Sequence, residues 1–482
     1  MHDHLDLAPE ALLDHVKPGT KLLVPIAAGE PPALLDALDA NAEQLENVQV
    51  IQMLGAGSRA YQRGEYPGKL ESADLFLGGE TRKLQAQGTI EYIPTNFSGI
   101  PELVREHIKP DILICSVSEP DDHGFMSLGL SADYCVQFIG KLPIFVEINP
   151  GIPHPYGSNQ IHVSQVVGGT RTDTPVMEAP PVVAEPGSAD YTIAEIVAEE
   201  IRDNDCLQVG HGRLPNAILS MLKDRKDLGV HTELMSDGVM DLIEAGAVTG
   251  MSKRFHQRQV VSTFIMGTQK LYKWLDHNPV VNMLPVDQTN DPYLIGLEPN
   301  MVSVNATTQV DLLGQAASET VGGKFFSGSG GQLDFAIGAR RSEGGRGYIV
   351  TPSQTRHGQS RISATLPPNS PVTTHKNFID NVVTEHGIAR LRGTNYSQRA
   401  LRLIDIAAPE HRADLLRGPR VQPPLPSGPA LSPPDPGRAG GTPPRPARVN
   451  RRKPRPFASA SGRGFPRARG LRRPRRRPWP RR

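Results

Sequence analysis

The sequence predicts an α/β protein with two open, largely parallel sheets and a basic C-terminal tail. Three features of the chain predict this class. Short apolar runs alternate with amphipathic, helix-like segments, as they do in βαβ units. One polar, Pro-rich stretch interrupts the alternation, and the end of the chain holds almost no aliphatic residues with which to build a core. The chain therefore divides into two foldable units and a tail.

The first unit, residues 1–170, is expected to be built from four strand candidates and the helices between them. Helices are predicted over 31–45 and over 100–108, where a Ser-Gly loop and a Pro near the first turn mark a helix start. The strand candidates are KLLVPIA (21–27), VQVIQML (48–54), DILICSV (111–117) and PIFVEIN (143–149). Such short, continuous apolar runs are typical of strands buried on both faces of a parallel sheet.

The second unit, residues 191–417, is expected to repeat this alternation. Residues 171–190 precede it and are polar, rich in Pro and without periodicity, which predicts an interdomain linker. The alternation resumes at TIAEIVAEEI (192–201) and continues to IDIAAPEHRADLL (404–416).

The tail, residues 418–482, is predicted to be disordered. It holds 18 Lys and Arg and one acid, Asp435, so residues 1–417 hold 34 basic and 50 acidic residues, and the near-neutral total hides a strong division of charge. Three interpretations remain open: a stretch translated out of frame from GC-rich DNA, a passive solvated extension, or a basic arm that binds nucleic acid. The third would make the protein a nucleic-acid-binding protein, although no nucleic-acid partner is expected.

Composition excludes several classes of protein. With 38% hydrophobic residues, the 482-residue chain can bury a large core, but no apolar run approaches the roughly 18 to 20 residues that a membrane span needs. The first residues, MHDHLDLAPE, lack the basic start of a secretory signal. Three cysteines without CxxC spacing predict neither a disulfide framework nor a metal site. We therefore expect a cytoplasmic protein that binds no metal.

The stretch CLQVGHGRLPNAILSMLKDRKDLGVHTELMSDGVMDLIEAG (206–246) is the most informative part of the chain. An apolar strand ends in a glycine turn, a helix begins near Pro215, and after Gly229 the chain returns as VHTELM. One helical crossover of this length makes the two strands neighbours, with the turn at Gly210 and the acid Glu233 at the same sheet edge. Glu233 is thus a candidate catalytic carboxylate, with a structural ion pair as the alternative.

A second glycine-rich element, FFSGSGGQLDF (325–335), carries Gly328, Gly330 and Gly331. Glycines in series let successive amides converge on an anionic atom, as an oxyanion hole requires, although a tight turn between strands would use the same residues. LGAGSRAYQ (54–62) supplies only two glycines and lacks the ribose-binding pattern of a dinucleotide site, so that interpretation is rejected.

These motifs are carried by a sequence that resembles the acetyl-CoA hydrolase/transferase family, within the class I coenzyme A transferases. It is most similar to the 4-hydroxybutyrate CoA-transferase-like branch, and the similarity covers nearly all of residues 10–416. The matching segments begin SVSEPDDHGFM (116), QVGHGRLPNAI (208), GVHTELMSDGV (229), VDLLGQAASET (310) and NVVTEHGIARL (381). The resemblance implies two α/β domains of the CoA-transferase type.

The resemblance also implies roles for individual residues. Glu233 corresponds to the catalytic glutamate, and Val209 with the Gly330–Gly331 pair occupies the oxyanion-hole region. The residues that line the bound thioester are Gln208, Val209, Gly210, His211 and Gly212, and the glycine loop adds Gly328.

Three other polar residues are weaker candidates by the same comparison. Glu319 and Glu244 do not occupy the position of the nucleophile, and His123 is expected to shape the acyl pocket rather than bind a metal. The chain departs from the family after Arg417 and at 353–363, where Arg356, Gly358, Gln359 and Arg361 stand in a segment that usually has more Lys, so contacts to the CoA phosphates are expected to be altered there.

The resemblance implies an enzyme that transfers CoA through a glutamyl-CoA thioester and needs no cofactor beyond the CoA thioester substrate. Acetyl-CoA is the expected donor, and 4-hydroxybutyrate, butyrate and propionate are candidate acceptors. An acyl-CoA hydrolase remains the alternative, because water can replace the acceptor. We expect a homodimer or larger homo-oligomer.

Overall fold

The computed structural model describes residues 3–79, 81–88, 90–182, 184–210 and 212–417. The predicted disordered tail, 418–482, and the candidate residue His211 lie outside these residues. The described part is a mixed α/β structure with mostly parallel sheets, which confirms the predicted fold class.

The strands and helices lie as follows. In the first part of the chain the strands are β1 Lys21–Leu23, β2 Val48–Met53, β3 Leu70–Phe76, β4 Glu91–Tyr92, β5 Ile112–Val117, β6 Phe125–Ser127, β7 Ile144–Ile148, β8 Tyr156–Gly157, β9 Gln160–His162 and β10 Gly168–Arg171. In the second they are β11 Cys206–Val209, β12 Gly229–Val230, β13 Leu234–Met235, β14 Val260–Ser262, β15 Phe264–Ile265, β16 Val281–Met283, β17 Met301–Ala306, β18 Gln309–Asp311, β19 Ala316–Ala317, β20 Thr320–Val321, β21 Lys324–Phe325, β22 Arg346–Val350, β23 Ile362–Ser363, β24 Asn381–Thr384 and β25 Gly387–Arg390. The α-helices are α1 Pro32–Ala40, α2 Thr81–Gln87, α3 Ile100–Leu103, α4 Ala189–Glu200, α5 Arg213–Ser220, α6 Asp237–Glu244, α7 Gln269–Leu275, α8 Val286–Thr289, α9 Pro292–Leu297, α10 Gln332–Arg341, α11 Tyr396–Asp405 and α12 Pro409–Arg417.

A seven-stranded parallel sheet has the order β10-β7-β5-β1-β2-β3-β4 and contains all four strands predicted for the first unit. Both of its faces are covered. Ile112 and Ile114 pack on the α1 side, whereas Leu113 and Cys115 pack on the opposite side with Phe97. This alternation along β5 explains why its sequence is apolar throughout.

Two predicted elements are shorter or less regular than expected. The run 21–27 is a strand only over Lys21–Leu23, because Pro25 has no N–H with which to continue a ladder. The helix predicted over 100–108 is α-helical over Ile100–Leu103 and continues as a wider π-type turn over Val104–Ile108.

A six-stranded sheet, β12-β11-β17-β22-β24-β25, is built from the second part of the chain and is parallel except for the pair β24 and β25. Strand β8 of the first part pairs with β16 of the second, so the two parts also share backbone hydrogen bonds. The domain limits at 170 and 191 stay predictions. Within the described residues, no helix combines the length and apolar character needed to cross a membrane.

Candidate active site

Glu233 lies between β12 and β13, at the carboxyl end of the six-stranded sheet. Strands β11 and β12 pair in parallel, and the His231 amide extends the ladder by donating to Leu207 O at 3.0 Å. The Glu233 carbonyl accepts the amides of Thr263 and Phe264, each at 3.0 Å. The crossover predicted from 206–246 therefore exists. Backbone hydrogen bonds to β11 and to residues 263–264 hold the segment that carries Glu233.

The Glu233 carboxylate has one side-chain partner among the described residues. Asn290, directly after α8, donates its Nδ2–H to Glu233 Oε2 at 2.9 Å. Burial raises the pKa of Glu233 to about 7, and the hydrogen bond from Asn290 opposes that rise. Near neutral pH the group is divided between carboxylic acid and carboxylate. Its carboxylate form is poorly solvated and consequently more basic than an exposed glutamate.

The glycine-rich loop touches this carboxylate. A Cβ built on Gly331 would lie 1.9 Å from Glu233 Oε2 and 2.2 Å from Asn290 Nδ2, so only glycine allows this approach. Gly330 has φ +56°, a conformation that L side chains rarely adopt. Gly331 is therefore beside Glu233, at the start of helix α10, and Gly330 directly precedes it.

Hydrogen bonds from Phe97 and Ser98 hold the glycine-rich loop in place. The Phe97 amide donates to Gly330 O at 3.0 Å. The Ser98 hydroxyl donates to Asp334 Oδ1 at 2.9 Å, and the Ser98 amide donates to Asp334 Oδ2 at 3.2 Å. The first turn of α10, and with it the loop, is thereby anchored to a residue far away in the sequence.

Asp334 is a buried acid close to the half-buried Glu233. Burial raises the pKa of Asp334 to about 7, the bonds from Ser98 oppose the rise, and the negative charge of Glu233 adds to it. The two carboxyl groups consequently titrate as a coupled pair. Asp334 was not predicted from the sequence, although its place three residues after Gly331, in the first turn of a helix, was a usable signal.

The end of β11 and the residue that follows it, 208–210, lie one strand away from Glu233. Gln208 in β11 exchanges two amide hydrogen bonds with Asn305, both at 3.1 Å, and is buried. Val209 is the last residue of β11, and the Gly210 amide donates to Val304 O at 3.2 Å. Gly212 has φ +125° and precedes α5. These residues occupy the expected sheet edge, and their roles stay predictions.

Gly328 and the weaker candidates lie elsewhere. A Cβ on Gly328 would lie 2.9 Å from both Phe76 Cδ2 and Tyr92 Oη, so this glycine packs on aromatic rings. Glu319 accepts a hydrogen bond from Thr373 Oγ1 at 2.9 Å, and Glu244 lies 3.6 Å from Lys270 Nζ.

His123 is held in a turn on the first part of the chain, where its amide donates to Asp121 Oδ1 at 2.9 Å. The expected role of His123 in shaping the acyl pocket, and the structural roles of Glu319 and Glu244, stay predictions.

Asn290 and His231 are two further residues that sequence reasoning did not find. His231 is buried, and its Nε2 donates to Thr289 O at 2.7 Å, which positions the residue before Asn290. Burial lowers the pKa of His231 to about 3, so the ring is neutral. Asn290 stands in VDQTND, a segment without a recognisable motif, and only the fold brings it to Glu233.

Comparison with known proteins gives consistent matches. Residues 5–194 match the acetyl-CoA hydrolase/transferase N-terminal domain, and residues 267–418 match the C-terminal domain of the same name. The chain is 39% identical over 409 residues to succinyl-CoA:cyclohexane-1-carboxylate CoA transferase of Geobacter metallireducens, covering 84% of this chain and 92% of that protein. It is 37% identical over 410 residues to 4-hydroxybutyrate coenzyme A transferase of Clostridium kluyveri, covering 84% and 95%.

Two crystal structures extend the match to the fold. RipA from Yersinia pestis superimposes with a TM-score of 0.81 at 35% identity, over 86% of this chain and 97% of that one. The 4-hydroxybutyrate CoA-transferase of Porphyromonas gingivalis gives a TM-score of 0.72 at 34% identity, again over 86% and 97%.

Proposed function

The chain belongs to the acetyl-CoA hydrolase/transferase family, and we propose that this CoA-transferase moves CoA from an acyl-CoA to a short-chain carboxylate through covalent catalysis by Glu233. The surroundings of the Glu233 carboxylate support the proposal best. It is poorly solvated, accepts one hydrogen bond from Asn290 and touches Gly331. Acetyl-CoA is the proposed donor, and 4-hydroxybutyrate, butyrate or propionate is the proposed acceptor.

The reaction must keep the energy of the thioester bond without ATP, and a covalent relay does so. The ionised Glu233 attacks the thioester carbonyl, forming a mixed anhydride and releasing the CoA thiolate. The thiolate then attacks the glutamyl carbonyl, which gives a glutamyl-CoA thioester and frees the first carboxylate. The acceptor carboxylate runs the two steps in reverse. Each step exchanges one acyl bond for another, so no proton has to be supplied.

Each tetrahedral intermediate places negative charge on an oxygen. We assign its stabilisation to backbone amides near Val209 and in the Gly330–Gly331 loop. One such donor is typically worth about 3 to 4 kcal/mol of transition-state energy. The hydrogen bonds from Phe97 and Ser98 support this assignment, because a loop that is already held in place does not have to reorganise when the charge develops.

Asp334 completes the proposed electrostatics. A buried carboxylate pair resists double ionisation, because two like charges repel strongly in a poorly solvated site. We infer that Asp334 keeps its proton while Glu233 is ionised, because the negative charge of Glu233 raises the pKa of Asp334. The nucleophile then works beside a neutral neighbour.

Steady-state kinetics and mass spectrometry test the proposal together. We expect parallel double-reciprocal plots against donor and acceptor, since the first acid leaves before the second binds. Incubation with acyl-CoA alone should add the mass of CoA less water to the peptide that contains Glu233. Glu233→Gln should fold and lose both properties, whereas the matched Glu319→Gln should keep them. Intersecting plots without a trappable adduct would refute covalent catalysis by Glu233.

Hydrolysis is the second candidate, because the family includes hydrolases and differs chemically only in letting water attack. Release of free CoA from acetyl-CoA without any acceptor distinguishes it. We expect free CoA at less than a tenth of the rate of transfer to butyrate, and faster release would favour the hydrolase.

A further inference from the structure

Residues 326–331, the glycine-rich loop before α10, are held at both ends by the same two residues, Ser318 and Glu319. At the start of the loop, the Phe326 amide donates to Glu319 O at 2.7 Å, and the Ser327 amide donates to the same oxygen at 3.2 Å. The Ser327 hydroxyl donates to Ser318 O at 3.1 Å. These three bonds use backbone carbonyls as acceptors, so a Gln side chain at position 319 leaves them in place.

The end of the loop is held through the side chain of Gln332, the first residue of α10. The Ser318 hydroxyl donates to Gln332 Oε1 at 2.9 Å, and Gln332 Nε2 donates to Thr374 Oγ1 at 3.0 Å. Gln332 and Thr374 are both buried. The oxygen and the nitrogen of the Gln332 carboxamide are therefore both engaged, directly after Gly331.

The two partners of Gln332 belong to a frame that does not include the loop. Ala316, in β19, and Thr374 exchange two backbone hydrogen bonds, each at 3.1 Å. The Ser318 amide donates to Thr373 Oγ1 at 2.9 Å, which joins the same two segments a second time. Gln332 thus connects the first turn of α10 to two segments whose backbones are paired with each other.

A buried glutamine is not needed here for packing alone. An apolar side chain of the same length fills the same space without the cost of removing a carboxamide from water, and hydrogen bonds do little more than offset that cost. The hydrogen bonds add direction, because each holds its partners to a narrow range of distances and angles, whereas apolar contacts are non-directional. The carboxamide of Gln332 therefore fixes where α10 begins.

The position of this helix start matters because Gly331 lies against the reacting carboxylate. A Cβ on Gly331 would lie 1.9 Å from Glu233 Oε2, so the backbone directly before Gln332 touches Glu233. Stabilisation of an oxyanion depends on amides that are already in place when the charge develops. A misplacement of about 1 Å in such a group can cost a reaction about 100-fold.

We propose that Gln332 is a positioning residue for the amides that stabilise the tetrahedral intermediate, and that it acts through the backbone of Gly331. The inference rests on the proposed function, because it assumes that amides of the Gly330–Gly331 loop bond the oxyanion. Gln332 carries no charge, so in this role it changes the energy of the transition state and not the ionisation of Glu233 or Asp334.

Gln332→Met tests the proposal, because Met keeps the length of the side chain and removes both hydrogen bonds. We expect kcat and kcat/KM for acetyl-CoA to fall together, about 10- to 100-fold, as they do when an interaction made only in the transition state is lost. The midpoint of the pH profile of kcat/KM should not move. The matched control Gln259→Met loses a side-chain hydrogen bond to Pro279 O and should keep full activity.

Thr374 offers a second pair of variants with a smaller change. Thr374→Val keeps the shape of the side chain and removes the acceptor of the Gln332 bond, whereas Thr374→Ser keeps the hydroxyl. We expect Thr374→Val to lower kcat about three- to tenfold, the effect of one lost hydrogen bond, and Thr374→Ser to keep most of the activity. This pair decides the question if Gln332→Met does not fold.

Four results would overturn the inference. A rise in KM with kcat unchanged would place Gln332 in substrate binding, and a shifted midpoint of the pH profile would show that it acts on the ionisation of Glu233. Normal turnover by Gln332→Met, or equal activity of the two Thr374 variants, would show that the hydrogen bonds do not position the loop for catalysis.

Failure of the inference can be told apart from failure of the proposed function. If the Gln332 and Thr374 variants turn over normally while the parent protein shows parallel kinetics and a Glu233 adduct, covalent catalysis stands and only the role of Gln332 is wrong. If no adduct forms and Glu233→Gln keeps transfer, the proposed function is overturned and the inference with it.

Discussion

Removing the amide of Asn290 should move the pH dependence of the reaction to higher pH. Asn290 donates the one side-chain hydrogen bond that the described residues offer to Glu233, and that bond stabilises the ionised form. Asn290→Ala leaves the buried carboxylate less stabilised, so its pKa rises above about 7. Since only the carboxylate attacks the thioester, activity requires a higher pH.

The size of the shift follows from the energy of the bond. A hydrogen bond to a charged group is worth about 1.5 to 3 kcal/mol, and one pKa unit corresponds to about 1.4 kcal/mol. The midpoint should therefore rise by about one to two units, towards pH 8 or 9. At pH 7 the ionised fraction falls from about one half to between about 1 and 10 per cent, so the rate falls roughly 5- to 50-fold.

The assay is kcat/KM for acetyl-CoA between pH 5.5 and 9.5, which reports the ionisation of the free enzyme. Most of the lost activity should return at pH 9.5. Asn282→Ala is the matched control, because Asn282 bonds Gln259 and His256 away from the site. If the midpoint of the pH profile is unchanged and kcat/KM falls equally at every pH, Asn290 does not stabilise the charge of Glu233 and only orients its carboxylate.

Four further outcomes are expected. Asp334→Asn should leave the midpoint of the same pH profile unchanged, because the acid that it replaces is neutral while Glu233 ionises, and a lower midpoint would show that Asp334 carries charge. Glu233→Gln should be more stable than the parent protein at pH 8 and not at pH 4. The pKa of Glu233 is about 7 in the folded protein against about 4.3 in the unfolded chain, so the parent loses stability as pH rises through that window, by at most about 3.7 kcal/mol, which urea unfolding can measure. Gly331→Ala should abolish transfer, since its Cβ would overlap the Glu233 carboxylate. The control Gly79→Ala should keep transfer, because a Cβ at that position meets open space. A chain that ends at Arg417 should keep full activity, as the transfer assay can measure, and loss of transfer would show that residues 418–482 matter.

The sequence by itself determined the fold class and predicted Glu233 as the reacting group. The apolar runs at 48–54, 111–117 and 143–149 form buried strands of one parallel sheet. Because both faces of such a strand are covered, its sequence is apolar throughout. The spacing from Gly210 to Glu233 allowed one crossover, and parallel pairing of β11 with β12 followed from it. The local sequence is sufficient to predict such features, because a strand, its crossover helix and the next strand are formed by contiguous residues.

The tertiary structure alone decided what surrounds Glu233. Asn290, Asp334 and Ser98 come from separate parts of the chain, and no local pattern marks Asn290 or Ser98 as partners of an acid. The raised pKa of Glu233 likewise depends on burial, which is a property of the packed neighbours and not of the residue type. The switch point between β1 and β5 likewise needed the strand order, because that order sets which loops diverge at the edge of the sheet.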